Sequence, residues 1–184
     1  MPLKTLVKVG SLTNLSDARY CAGMDVQLLG VQAVTGLPNY LSPARFQEIR
    51  GWIAGPSIVA EVHGVQSIQE IESIIEAYRP DYLELGIAEL LLAETVSLPV
   101  IVRVKPGESF DHVRVAPAYA LVDAGDTRSF EVPRIVRVSS LEDAKRVLDD
   151  SGVSGMALQG SDELSPGLKT YDTLAPILEM LEDD

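Results

Sequence analysis

The 184-residue chain is short of several things, and each shortage excludes a class of protein. Cys21 is its one cysteine, so no intramolecular disulfide can form. Its two histidines, His63 and His112, lie far apart, and no metal-ligand spacing is present. No uninterrupted apolar run reaches the roughly 18 residues that a membrane helix needs. The opening Met1-Pro2-Leu3-Lys4 carries no signal-peptide pattern, so a soluble cytoplasmic protein is expected. Basic residues are outnumbered 27 to 15, which gives a net charge of −12. Such a surface repels phosphates and argues against nucleic acid and anionic membranes as partners. Part of the charge is local, because Glu179, Glu182, Asp183 and Asp184 make an acidic end that reads as a solvated helix terminus. No glycine-rich dinucleotide fingerprint and no P-loop follows any candidate strand.

What is present is an ordinary globular mixture, 46% hydrophobic and 23% charged, and the length favours a single domain spanning 1–184. Eight short apolar runs recur along the chain, around residues 6–9, 26–31, 58–62, 82–85, 100–104, 119–122, 135–138 and 155–158, several rich in Val and Ile. Helical signals separate most of them. Asn14 or Ser16 caps a first helix over 17–22 that Gly23 ends, and Ser42-Pro43 opens a second through Phe46, Ile49 and Trp52. Ser67 and Glu70 form a capping box for a third, with an apolar stripe of Ile68, Ile71, Ile74 and Ile75. A short fourth covers 88–94. Ser140 with Asp143 opens a later one, with Leu141, Ala144, Val147 and Leu148 turned inward, and a last one covers 171–182 with its regular part from Ala175. Segment 109–116 is barely helical and 124–133 reads as loop. Strand alternating with helix means a parallel sheet, either doubly wound or closed into a barrel, and periodicity does not choose between them.

Several segments, in order along the chain, resemble the phosphoribosylanthranilate isomerase family. Lys8-Val9-Gly10-Ser11-Leu12-Thr13 followed by Asp17-Ala18 is similar to that family's Lys-Ile-Cys-Gly-Ile-Thr and Asp-Ala. Gly23-Met24-Asp25 with Leu29-Gly30-Val31 looks like its Gly-Ala-Asp and Leu-Gly-Phe. Tyr40-Leu41-Ser42-Pro43 resembles Arg-Tyr-Val-Ser-Pro, and Pro166-Gly167-Leu168-Lys169 resembles Pro-Gly-x-Lys-Asp. The resemblance implies a (β/α)8 barrel, α/β in class. At about 23 residues per strand-helix unit it must be a short one, with helices reduced or missing around 109–116 and 124–133. It also implies an Amadori rearrangement in tryptophan biosynthesis, an isomerase of the intramolecular oxidoreductase type that uses no metal or organic cofactor.

The family's site maps unevenly onto this sequence. Its general base, a cysteine ending the first strand, falls on Gly10, which has no side chain to move a proton. Cys21 lies within the first helix and reads as a buried structural thiol. The general acid falls on Asp123, with a loop-capping role as the plainer alternative. The arginine that holds the anthranilate end is replaced by Asn39, which lacks a guanidinium fork and reads as a turn residue. Lys8 and Thr13 remain as substrate-binding candidates. The phosphate turns carry Ser139-Ser140 and Gln159-Gly160-Ser161, with Asp162 and Glu163 opposing an anion if they face it. His63, Glu61 and Lys105 end strands and could face the barrel mouth, His63 being a weak catalytic candidate. The glycine-rich loop is shortened to 125–130, which predicts an open mouth. The leading expectation is an isomerase-like barrel that does not perform the family reaction and binds a small molecule, a phosphorylated one among the candidates, or a protein. A working isomerase with relocated groups and a non-enzymatic interaction scaffold, including a homo-oligomer, are the alternatives.

Overall fold

The computed structural model describes residues 2–160, 163–165, 168–169 and 173–182. In chain order its first elements are β1 (Leu6–Gly10), α1 (Leu15–Gly23), β2 (Leu28–Gln32), α2 (Pro43–Arg50), β3 (Ser57–Glu61), α3 (Ile68–Tyr78), β4 (Tyr82–Gly86) and α4 (Ile87–Leu92). They are followed by β5 (Val100–Arg103), β6 (Tyr119–Asp123), β7 (Arg134–Arg137), α5 (Leu141–Leu148), β8 (Gly155–Gln159), β9 (Glu163–Ser165), β10 (Leu168–Lys169) and α6 (Leu174–Leu181). Strands β1 to β8 are parallel and in sequential order, and β8 pairs back onto β1 from Leu6–Gly155 to Gly10–Gln159. The sheet is therefore a closed (β/α)8 barrel, and the doubly wound alternative is excluded. No described helix is long and apolar enough to cross a membrane.

Strand alternation builds two apolar layers. One parity of each strand points into the barrel, where Leu28, Val59, Ile101, Leu121, Ile135 and Ala157 form a closed inner core. The other parity, including Val7, Val9, Ala60, Leu83, Val102, Val122 and Met156, packs outward against the helices in the larger cluster. Helix starts follow their caps: Asn14 accepts from the Asp17 N–H at 2.9 Å, Ser67 from Glu70 at 3.3 Å and Ser140 from Asp143 at 3.1 Å.

Several boundaries and faces differ from the expectations raised by the sequence. β2 begins at Leu28 rather than Val26, because the Val26 N–H turns back to the Cys21 carbonyl and closes the end of α1. The Glu70 carboxylate takes the Gln66 N–H rather than that of Ser67, so the expected capping box is displaced by one residue. Leu141 is 36% exposed, at the first turn of α5, while Ala144 is fully buried. The antiparallel pair β9 and β10 has no counterpart in the sequence pattern, because two such short strands leave no periodic signal.

Helices are absent from 105–118 and 124–133, as the short length requires. The outward-facing Val102, Ala120 and Val122 of β5 and β6 are nonetheless buried, and Phe110, Val113, Val115, Phe130 and Val132 of these two segments pack into the same apolar cluster. Phe110 stacks on Phe130 with centroids 5.7 Å apart, and the Arg128 guanidinium sits 5.5 Å from the Phe130 ring. Arg128 also donates to the carbonyls of Glu108 and Lys105, and buried Arg134 donates to those of Asp126 and Arg128 and pairs with Asp150. Charged side chains satisfying loop carbonyls thus replace two helices.

Candidate functional site

The carboxyl ends of the barrel strands surround an open cavity of about 910 Å³. This is the end where a (β/α)8 barrel keeps its chemistry. Of the candidates drawn from the sequence, Lys8, Gly10, Asn39, His63, Asp123, Ser139 and Gly160 line it, as does Glu61. Thr13, Lys105 and Ser140 lie outside the lining. Ser140 Oγ is the N-cap of α5, and the Lys105 carbonyl accepts from Arg128. Ser161 and Asp162 lie outside the described residues, as does the side chain of Glu163.

The most buried charged group lining the cavity is Lys8, 3% exposed on β1. Its Nζ donates to Glu61 Oε1 at 2.8 Å and lies 2.6 Å from Glu84 Oε2. The other Glu84 oxygen meets His63 Nε2 at 2.9 Å. Ser11 gives Glu61 two more hydrogen bonds, from its N–H at 3.1 Å and its hydroxyl at 2.9 Å. Its backbone is left-handed at φ 52°, a conformation that these bonds help to hold. Burial alone would lower the Lys8 pKa, but the two carboxylates outweigh it and hold the ammonium well above the ordinary lysine range. Burial likewise pushes the Glu84 carboxyl up, and Lys8 and His63 together pull it below the usual carboxylate range.

Two glycines make room for this cluster. A Cβ at Gly10 would stand 2.6 Å from Glu61 Oε1 and 2.9 Å from Lys8 Nζ, and a Cβ at Gly30 would collide with the same two groups. The space beside the tip of β1 is therefore filled by a carboxylate from β3 and the ammonium from β1 itself. The Gly160 N–H is committed to the Gly10 carbonyl at 2.8 Å, which removes it as an anion donor.

Across the mouth, Asp123 Oδ1 accepts from Arg137 Nη1 at 2.9 Å and lies 3.9 Å from Arg103 Nη2. Asn39 has φ 62°, within a turn that the Tyr40 N–H closes onto the Leu37 carbonyl at 3.2 Å. Its turn role is thereby met, and it still borders the cavity. Cys21 is fully buried, away from the mouth, and burial followed by nearby Asp17 pushes its thiol up to about 12.

No family model matches the sequence, and no curated protein matches it. Solved structures do. TrpF from Jonesia denitrificans superposes with a TM-score of 0.76 at 14% identity, over 95% of each chain. The chain has the barrel fold of phosphoribosylanthranilate isomerase. The isomerase from Thermus thermophilus gives 0.75 at 18% identity over 96% of this chain and 98% of that one. The N-(5'-phosphoribosyl)anthranilate isomerase from Pyrococcus furiosus gives 0.74 at 15%, over 95% and 97%. The likeness to the isomerase thus extends over the whole barrel and not over one part of it.

Glu84, Arg103 and Arg137 join the site without having stood out in the sequence. Each lies between two apolar residues near the end of a strand, as in Leu83-Glu84-Leu85, Val102-Arg103-Val104 and Val136-Arg137-Val138. Lys8, between Val7 and Val9, shares the pattern. In a barrel whose outer face is covered, a lone charge so flanked must point inward, and that signal could have found all three.

Proposed function

We propose that this isomerase-like barrel does not catalyse the Amadori rearrangement and instead binds a small molecule at its mouth. The filling of the space beside Gly10 by Glu61 and Lys8 carries this reading. The resemblance puts a proton-abstracting thiol there. Glu61 is a poor substitute, because both of its oxygens already accept hydrogen bonds, from Lys8 and Ser11. Purified protein mixed with phosphoribosylanthranilate is expected to leave the substrate fluorescence unchanged, and the gene is expected not to rescue a tryptophan auxotroph that lacks the isomerase. Enzymatic loss of fluorescence, or clear growth, overturns the proposal.

One observation favours a second reading, an active isomerase with relocated groups. His63 borders the cavity and is oriented by Glu84, an arrangement that suits an acid-base histidine. On that reading His63→Asn and Asp123→Asn each abolish a turnover that the unaltered protein shows.

A further inference from the structure

The charges of the mouth are divided by position. On the side of β1, β3 and β4, one lysine faces two glutamates, which leaves one negative charge beside His63. On the side of β5, β6 and β7, two arginines face one aspartate, which leaves one positive charge. Arg103 is incompletely used. Its Nε is buried with no hydrogen-bond partner among the described residues, and its Nη2 stops 3.9 Å from Asp123. Both arginines line the cavity, and their side chains are 33% and 39% exposed, within reach of a ligand. The Gly160 N–H, just after β8, is bonded to the Gly10 carbonyl.

We infer that the mouth takes a small molecule with one oxyanionic group, carboxylate or phosphate, held by Arg103 and Arg137, and with hydroxyl or amino groups turned toward His63 and Glu84. Guanidinium forks match both oxyanions, and Asp123 holds the Arg137 fork in place. The net negative charge of the Glu84 side repels a second anion and favours neutral or cationic donors beside His63. This inference rests on the small-molecule reading above and names the ligand's chemistry.

Titration calorimetry of the full chain with ribose 5-phosphate, ribonate and ribose tests it. Saturable binding is expected for at least one of the two anions and none for ribose. Phosphate as the source is read from ribose 5-phosphate alone, carboxylate from ribonate alone. Arg103→Gln and Arg137→Gln should each weaken binding by about tenfold or more, and Arg19→Gln on the outer face of α1 should leave it unchanged. If either glutamine variant has lost its fold by circular dichroism, Arg103→Lys and Arg137→Lys keep the charge, remove the fork and should weaken binding by the same criterion. The inference is overturned if neither anion binds up to about 10 mM, or if binding survives both arginine substitutions undiminished. Isomerase turnover by the unaltered protein would sink the non-isomerase reading alone, because the arginine dependence of anion binding is read separately.

Discussion

Two missing β-carbons shape the mouth. Gly10, at the end of β1, and Gly30, midway along β2, stand side by side, and the Glu61 carboxylate crosses to Lys8 through the space they leave. Restoring a thiol at position 10 therefore does not restore a base. Gly10→Cys is expected to destabilise the fold by roughly 1–3 kcal/mol through overpacking against Glu61, and to yield no isomerase turnover, as read by urea unfolding and the fluorescence assay. Lys8 is the more sensitive residue. Its ammonium is the cation between two buried carboxylates, and Lys8→Met leaves both without it. Removal of one partner from a buried ionic group costs roughly 3–5 kcal/mol, so the variant should unfold at clearly lower urea or fail to accumulate.

Among the elements, the local chemistry of helix ends agrees with the fold at α1, α2, α3 and α5, where Asn14, Ser42, Ser67 and Ser140 each accept a backbone N–H from the first turn. Ser140 separates two roles that sequence alone leaves together, a helix cap and a phosphate ligand. The geometry gives it the cap. Ser140→Ala should therefore cost about 1 kcal/mol, visible as a melting temperature lower by roughly 2–4 °C, while anion affinity in calorimetry stays unchanged. The missing helices are as informative. Segment 109–116 is barely helical in pattern and 124–133 reads as loop, and the structure puts no helix in 105–118 or 124–133. The manner of their replacement was not legible in the chain, since the stacking of Phe110 on Phe130 and the anchoring of carbonyls by Arg128 and Arg134 depend on side chains far apart in it.

Over the molecule as a whole, stability should depend on pH through the buried cluster. The pKa of Glu84 is depressed on folding, so its contribution is complete above the ordinary glutamate value of 4.5 and is lost as pH falls toward about 2. Lys8 is raised, so its contribution is complete below the ordinary lysine value of 10.5 and declines only as pH rises beyond it. Between these limits neither Glu84 nor Lys8 alters stability with pH. Urea midpoints should fall from about pH 4.5 downward, and Glu84→Gln should flatten that acid limb while lowering stability at neutral pH. An unchanged acid limb in the variant would show that other carboxylates control acid unfolding.

Periodicity, capping chemistry and residue identity are local properties. The order of residues therefore suffices for the alternation of strand and helix, the helix caps, the two bare stretches and the lack of a side chain at position 10. Closure of the sheet, the convergence of Lys8, Glu61, Glu84 and His63, and the separation of charge across the mouth belong to the folded barrel alone. They arise from strand register and barrel stagger, which bring residues dozens of positions apart within hydrogen-bond distance, and a linear pattern of charges does not encode that distance.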